Sequence, residues 1–205
     1  MIRNVVFDMG NVLLRWDPLM PCLRHTKGDR ALAEKLCRVI FDRPEWGENI
    51  DGGVMEENEY AKTLRPLLDS EEEFRLAQAV VEDFHLDSLY PFPPTEKLVD
   101  DLLAAGVPLY LLSNAGFRFR SYCYKMRRFA DFTGVTVSAE VGMMKPDPAI
   151  FRSVAERFGL NPAETLFVDD LLHNCAGARE AGWNAFQFDL SRVGELRKLL
   201  GLTEE

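Results

Sequence analysis

Four groups of polar residues in this 205-residue chain each follow a short apolar stretch, and their residue types suit metal and phosphate chemistry. The groups are Asp8, Ser113 with Asn114, Lys145 just before a proline, and Asp169 with Asp170. Each group alone has an ordinary explanation, since an aspartate after a strand is often a helix cap and Ser-Asn pairs often form turns. Four groups together are much harder to explain as caps and turns.

A carboxylate such as that of Asp8 can attack phosphorus, but attack on a phosphate dianion meets like-charge repulsion. A divalent cation between the two relieves this repulsion and fixes the direction of approach. Mg²⁺ prefers oxygen ligands from carboxylates and carbonyls. The adjacent acids Asp169 and Asp170 would repel each other without a cation, so the pattern favours a magnesium site that handles a phosphoryl group.

These polar groups need elements that bring them together. Five segments have the short apolar character of buried strands: residues 2–7, 107–112, 135–137, 165–168 and 185–188. Amphipathic helical patterns lie between most of them, as in DPAIFRSVAERFG, where Asp147 is a suitable N-cap. The alternation predicts an α/β fold with a parallel sheet covered on both faces. Ligands bind such sheets at the carboxyl ends of the strands, which is where the polar groups fall.

One long segment breaks the alternation of strands and helices. Residues 17–92 carry helical patterns and no convincing strand, which predicts an inserted α-helical cap domain. We expect residues 1–16 and 93–205 to form the core domain and residues 17–92 to form the cap. The proline-rich stretch PFPP is the expected return hinge, because prolines resist helix formation and limit flexing.

The order of the motifs resembles the haloacid dehalogenase (HAD) superfamily. The motifs are DxGxV at residues 8–12, SN at 113–114, KP at 145–146 and VDD at 168–170, followed by Asn174. The resemblance spans the chain and includes a helical cap after the first motif, as in cap type 1 of that superfamily. It implies a Rossmann-like parallel sheet core with an inserted cap, and a magnesium-dependent phosphatase, which is what most members are.

The resemblance also implies a role for each motif residue. Asp8 is the expected nucleophile and forms an aspartyl-phosphate. Phosphate binding falls to Ser113, Asn114 and Lys145, with Ser113 and Lys145 also expected to be catalytic. The expected metal ligands are Asp8, Gly10 through its backbone carbonyl, Asp170 and Asp169. Asp169 and Asn174 are expected to hold metal-bound water and the Asp170 side chain.

Gly10 departs from the pattern of the superfamily. Most of its phosphatases have a second aspartate there, which protonates the leaving alcohol and then activates water. Such an acid–base group typically contributes about 10²–10⁴-fold in rate. Asn11 cannot replace it, because an amide has no proton to give at neutral pH.

Three explanations of Gly10 stay open. The substrate can have a good leaving group, such as a sugar 1-phosphate, as the resemblance to the DxGNV branch with α-D-glucose-1-phosphate phosphatases suggests. Another acid, from the cap or Asp17, can substitute. The protein can also be a weak or inactive binder of a phosphorylated ligand. Metal-free 2-haloacid dehalogenase activity is a lesser alternative, because such a site has no reason to keep both Asp169 and Asp170.

The composition limits the partners. With 24 Lys and Arg against 33 Asp and Glu, the formal net charge is −9, which argues against nucleic acid. No signal peptide or membrane-spanning run is recognisable, and the four cysteines have no metal-site spacing. We expect a cytoplasmic protein with a small phosphorylated metabolite as its partner; the oligomeric state stays open. Glu45 and Trp46, in a cap loop rich in turn residues, are the expected substrate contacts of the cap.

Overall fold

The computed structural model describes residues 1–202, in which strands and helices alternate. The strands are β1 (Asn4–Phe7), β2 (Leu14–Trp16), β3 (Leu89–Pro91), β4 (Leu109–Ser113), β5 (Gly134–Val137), β6 (Thr165–Asp169) and β7 (Asn184–Gln187). The helices are α1 (Leu19–His25), α2 (Arg30–Ile40), α3 (Pro44–Trp46), α4 (Glu57–Thr63), α5 (Glu71–Asp83), α6 (Pro93–Ala104), α7 (Phe119–Tyr122), α8 (Ser138–Val141), α9 (Pro148–Phe158), α10 (Leu172–Glu180) and α11 (Val193–Leu199).

Five of the strands form a parallel sheet in the order β5-β4-β1-β6-β7. β1 lies at its centre, and its residues Val5, Val6 and Phe7 are fully buried. A continuous apolar run of this kind is what a strand covered on both faces requires. The five strands predicted from the sequence are therefore present, and the α/β fold class is confirmed.

Helices cover both faces of the sheet. On α9, Ile150, Phe151 and Val154 are buried in a cluster with β6 residue Phe167. The predicted N-cap is present, because the Asp147 carboxylate accepts a 2.8 Å hydrogen bond from the backbone N–H of Ala149. On the other face, α6 packs in the larger core cluster. This packing fixes the carboxyl ends of the strands in space.

The helical cap has an apolar cluster of its own, between β2 and β3 in the chain. Leu36, Ile40, Tyr60 and Val80 are among its buried members. Within residues 1–202, no helix combines the length and the apolar character needed to cross a lipid bilayer.

The cap segment leaves and returns through a two-stranded antiparallel ribbon, in which β2 residue Trp16 pairs with β3 residue Leu89. The expectation of no strand within residues 17–92 was wrong at Leu89–Pro91. Three residues ending in proline give little strand signal. This strand forms because β2, which lies more than 70 positions earlier in the chain, supplies its hydrogen bonds. The division into two domains at residues 16/17 and 92/93 stays a prediction.

Candidate active site

The carboxyl edge of the sheet brings the predicted site residues together around one cavity of about 400 Å³. Asp8 follows β1, Ser113 ends β4, Asp169 ends β6, and Lys145 comes from the loop between α8 and α9. The cavity is lined by the predicted residues Asp8, Gly10, Ser113, Asn114, Lys145 and Asp170. Asp169 does not line it, because this side chain is fully buried behind the others.

Lys145 is the centre of the charged cluster. Its Nζ donates to Oδ1 of Asp8 at 2.7 Å and to Oδ2 of Asp169 at 2.7 Å. Burial alone would lower the pKa of Lys145, but the two carboxylates outweigh it and hold the pKa above its usual value. Asn114 fixes the lysine backbone, since its side chain donates to the Lys145 carbonyl at 2.9 Å and accepts from the Lys145 N–H at 3.0 Å. The ammonium is thus fixed beside Asp8.

The Asp169 carboxylate is saturated with hydrogen bonds. Besides Lys145, it accepts from the backbone N–H of Leu171 at 2.8 Å and from the Asn174 amide at 3.1 and 3.0 Å. Asn174 was expected to hold the Asp170 side chain, and within the described residues it holds Asp169 instead. The reason is the helical start of α10, which turns the Asn174 amide back to the end of β6. Asp169 therefore orients Lys145.

Asp170 is held by Asn11, a contact that the sequence interpretation missed. The Asn11 amide donates to Oδ2 of Asp170 at 3.2 Å, and its carbonyl oxygen accepts from the backbone N–H of Trp16 at 3.2 Å. Asn11 has a φ of +52°, a left-handed conformation that asparagine tolerates better than most residues. In the sequence, an asparagine directly after Gly10 was the feature that could have indicated a residue with a left-handed backbone at this turn.

Carboxylate oxygens of Asp8, Asp169 and Asp170 lie within 4.8 Å of one another. The pKa of Asp8 is raised to about 7, mainly by burial and also by the charge of Asp169, and Lys145 opposes this shift. Burial, followed by the charge of Asp169, also raises the pKa of Asp170, and the Asn11 hydrogen bond opposes this. The three carboxylates share one cation, the Lys145 ammonium, so the cluster has more negative than positive charge. Asp8 and Asp170 still have oxygens that can accept, which suits an oxygen-preferring ion such as Mg²⁺.

Ser113 is buried and lines the cavity, and none of the hydrogen bonds among residues 1–202 involves its hydroxyl. It is free to donate to a bound oxyanion. Lys145, Ser113 and the Asn114 segment therefore surround the space in front of Asp8 with donors, which is the arrangement that stabilises a phosphoryl group.

The part of the cavity away from the acids is aromatic. Its rings pack edge to face, with Phe41 centred 4.8 Å from Trp46 and 5.6 Å from Trp16. The apolar lining consists of Met9, Trp16, Phe41, Trp46, Ile50, Phe84, Leu89, Ala115, Tyr122 and Leu171. Trp46 thus faces the cavity as expected for the cap loop, whereas Glu45 does not line it and pairs with Arg43.

The cap also contributes Asp51, an acid that sequence reasoning did not single out. It ends a short π-helical turn, Gly47–Asp51. Its backbone carbonyl accepts a 2.6 Å hydrogen bond from the hydroxyl of Ser138, a buried core residue at the start of α8. Asp17, the other acid considered, does not line the cavity, and its carboxylate accepts from the backbone N–H of Leu19 at 3.2 Å.

The model of the haloacid dehalogenase-like hydrolase family matches residues 2–182. The chain belongs to this family. The sesquiterpene phosphatase astK of Aspergillus oryzae is 28% identical over 204 residues, which cover 97% of each protein. The drimenol cyclase drtB of Aspergillus calidoustus is 27% identical over 192 residues, which cover 92% of this chain but 34% of that protein.

A solved HAD family enzyme of Bacteroides thetaiotaomicron, in complex with magnesium and inorganic phosphate, has a TM-score of 0.66 and 26% identity. The match covers 94% of this chain and 99% of that one. With the family match and the phosphatase relative, the residue pattern identifies this chain as an enzyme, a HAD-like phosphatase.

Proposed function

We propose that this HAD-like phosphatase is a Mg²⁺-dependent hydrolase of small phosphomonoesters that works through an aspartyl-phosphate on Asp8. The observation that carries the proposal is the placement of Asp8 beside Lys145, at 2.7 Å, in a cavity that Ser113 and Asp170 also line. Burial raises the pKa of Asp8. A bound cation would lower this pKa again and keep the nucleophile charged, because a nearby positive charge favours the ionised form.

Asp8, Asp170 and the backbone carbonyl of Gly10 would hold the metal ion. When bound, Mg²⁺ supplies the positive charge that lets the carboxylate approach a phosphate dianion. Asp169 would act through Lys145, because its own oxygens are already hydrogen-bonded. Lys145 and the Ser113 hydroxyl bind the phosphoryl oxygens, together with the backbone N–H of Asn114.

A sugar 1-phosphate is the substrate that the missing acid at Gly10 favours, because an anomeric oxygen leaves with less help from a proton donor. The aromatic lining favours a second candidate, a phosphate monoester of an apolar alcohol. Trp16, Trp46 and Phe84 offer ring surface rather than the hydrogen-bonding groups that several sugar hydroxyls need. The similarity to a sesquiterpene phosphatase supports this candidate as well. An ordinary apolar alcohol, however, is a poor leaving group and requires a proton.

The partner in either case is a small phosphorylated metabolite. The net charge of −9 supports the absence of nucleic acid from the function. A cytoplasmic location is part of the proposal, and the four free cysteines are in keeping with a reducing compartment.

Steady-state hydrolysis of glucose 1-phosphate, acetyl phosphate and an isoprenyl monophosphate, each with Mg²⁺ and with EDTA, tests the proposal. We expect Mg²⁺-dependent release of phosphate that Asp8→Asn abolishes. Binding of phosphate esters without turnover would favour the inactive binder, and metal-independent release of halide from a 2-haloacid would favour the dehalogenase. The ratio of kcat/KM for the sugar and isoprenyl esters decides between the two substrate candidates.

A further inference from the structure

The cavity requires a proton donor if its aromatic lining holds an apolar alcohol. Gly10 carries no acid, and the Asn11 amide is already bonded to Asp170. Of the carboxyl groups lining the cavity, Asp8 is the proposed nucleophile and Asp170 is a proposed metal ligand. The remaining carboxyl in the lining, within residues 1–202, is that of Asp51.

The Asp51 side chain has the freedom that an acid–base group needs. Within residues 1–202 its carboxylate makes no ion pair, and neither a side chain nor a backbone N–H donates to it. The Ser138 hydroxyl donates to the backbone carbonyl of Asp51 and leaves the carboxylate free. Glu57, the nearby buried acid of α4, differs on both points. It accepts from the backbone N–H of Arg118 at 3.2 Å and does not line the cavity.

The backbone around Asp51 is held closely against the core. Gly53 approaches α8 so tightly that a Cβ atom there would lie 2.5 Å from the carbonyl oxygen of Ala139. The side chain of the neighbouring Ile50 packs equally closely against Gly116, which lies shortly after the end of β4. A Cβ atom on Gly116 would lie 2.6 Å from this side chain. With the Ser138 hydrogen bond, these contacts fix Asp51 over the same cavity as Asp8.

We propose that Asp51 is the acid–base residue of this phosphatase and replaces the acid missing at Gly10. The inference rests on the proposed function. As an Asp8 oxygen bonds to phosphorus and the ester P–O bond breaks, the Asp51 proton moves to the leaving oxygen and the alcohol departs. Water then attacks the phosphorus of the aspartyl-phosphate and gives its proton to Asp51. The bond between phosphorus and Asp8 breaks, which releases inorganic phosphate and restores both side chains.

The electrostatics of the cavity agree with this role. Burial, followed by the negative charges of Asp8 and Glu57, raises the pKa of Asp51 to about 7, and Lys145 opposes this shift. A group that titrates near neutral pH can both give and take a proton under physiological conditions.

The test is a leaving-group series with Mg²⁺: p-nitrophenyl phosphate, phenyl phosphate and an alkyl phosphate. For Asp51→Asn we expect kcat/KM to fall by about 10²–10⁴-fold on the alkyl ester and by less than about tenfold on p-nitrophenyl phosphate. The variant is also expected to give a burst of nitrophenolate, because the phosphoenzyme forms but loses its base for hydrolysis. Asp51→Glu should keep more alkyl activity than Asp51→Asn.

Glu48→Gln is the matched control, since it changes an exposed carboxylate of the same turn to an amide. If Asp51→Asn lowers kcat/KM equally across the series and shows no burst, Asp51 has another role and the inference is wrong. If the wild-type enzyme hydrolyses none of the esters with Mg²⁺, the proposed function fails and takes the inference with it. Wild-type turnover with an unchanged leaving-group dependence in Asp51→Asn overturns the inference alone.

Discussion

Nζ of Lys145 lies 2.7 Å from Oδ1 of Asp8, and the lysine side chain is almost completely buried. The same nitrogen is 2.7 Å from Oδ2 of Asp169, so a single ammonium group neutralises part of the charge of two carboxylates. An intact buried ion pair stabilises a protein little more than apolar side chains of the same volume would. Removing one partner is costly, because it leaves an uncompensated buried charge. The stability and the chemistry of the site therefore depend on the same contact.

We expect Lys145→Met to lose phosphatase activity and to lower the free energy of unfolding by about 3–5 kcal/mol near pH 7. The loss comes from leaving Asp8 and Asp169 buried without their cation. Urea unfolding without Mg²⁺ measures it. Lys97→Met is the control, because Lys97 pairs with Asp101 on an exposed helix surface, where a pair contributes about 0–1 kcal/mol. Equal stability of the two variants would contradict this account.

Much of the site could be predicted because ligands bind parallel sheets at the carboxyl ends of the strands. Asp8, Ser113 and Asp169 follow or end neighbouring strands of one parallel sheet, so their convergence follows from the sheet order. Lys145 could be placed only through the family resemblance, because it lies in a loop. The structure adds that the Asn114 side chain holds this loop through the lysine backbone.

The cap's contribution could not be predicted in the same way. The strand β2 and the three helices α1, α2 and α3 lie between Asp8 and the π-helical turn that Asp51 ends, and no period or strand end connects the two acids. Its position depends on long-range contacts to Ser138 and Ala139, which only the packed structure reveals. The ribbon strand at residues 89–91 was missed for a related reason, since its partner lies far away in the sequence.

Gly10→Asp is expected to add an acid beside the nucleophile. A Cβ atom at Gly10 would have Asp8 Oδ2 as its nearest neighbour, 4.0 Å away, so the backbone has room for a side chain. Because Asp51 already supplies a proton, the gain on alkyl phosphates should be larger in an Asp51→Asn background, approaching the 10²–10⁴-fold typical of such a group. Measurement of kcat/KM for both backgrounds checks this, with Gly10→Asn as the isosteric control. Folded variants that gain nothing on any alkyl ester would disprove our account of Gly10.

Asp51 should also make stability depend on pH. Its pKa rises from 3.8 to about 7 on folding, so the folded protein holds this proton more tightly than the unfolded chain. The resulting stabilisation is complete below about pH 4 and is lost as the pH rises through 7. Relative to wild type, Asp51→Asn is therefore expected to become more stable between pH 5 and pH 8. The relative gain should reach at least about 1.4 kcal/mol, the equivalent of one pKa unit.

Urea unfolding in EDTA at several pH values measures this difference directly. Glu48→Gln, at an exposed carboxylate of the same turn, is measured beside it as the control. A constant difference for Asp51→Asn would mean that Asp51 titrates as an ordinary surface carboxyl.

Arg118 joins the core to the cap, and its loss should loosen the cap over the site. Its guanidinium donates to the carbonyl of Val81 at 3.0 Å and lies 3.8 Å from the buried Oε2 of Glu57. We expect Arg118→Ala to cost about 1.5–3 kcal/mol of stability, the range for hydrogen bonds to charged groups, and to lower kcat/KM. Arg120→Ala, in the helix α7 that directly follows Arg118, removes a half-exposed pair with Glu140 and a cation–π contact with Phe119, and should cost about 1 kcal/mol. Limited proteolysis of cap loops and urea unfolding compare the two, and indistinguishable behaviour would exclude a clamp at Arg118.

Gly177 is the position where a single methyl group should do the most damage to the site. In α10, a Cβ atom there would lie 1.9 Å from the backbone carbonyl oxygen of Pro146, which directly follows Lys145. Because the obstacle is backbone, either the helix or the Lys145 loop must move. We expect Gly177→Ala to lower the free energy of unfolding by about 1–3 kcal/mol through overpacking and to lower kcat/KM by displacing the lysine from Asp8.

Gly47→Ala is the control, because a Cβ there meets no atom within 4 Å. Alanine in such a helical position is neutral or stabilising by up to about 1 kcal/mol. Urea unfolding and kcat/KM of both variants test the prediction, and a fully active Gly177→Ala would show that the Lys145 loop does not depend on this contact.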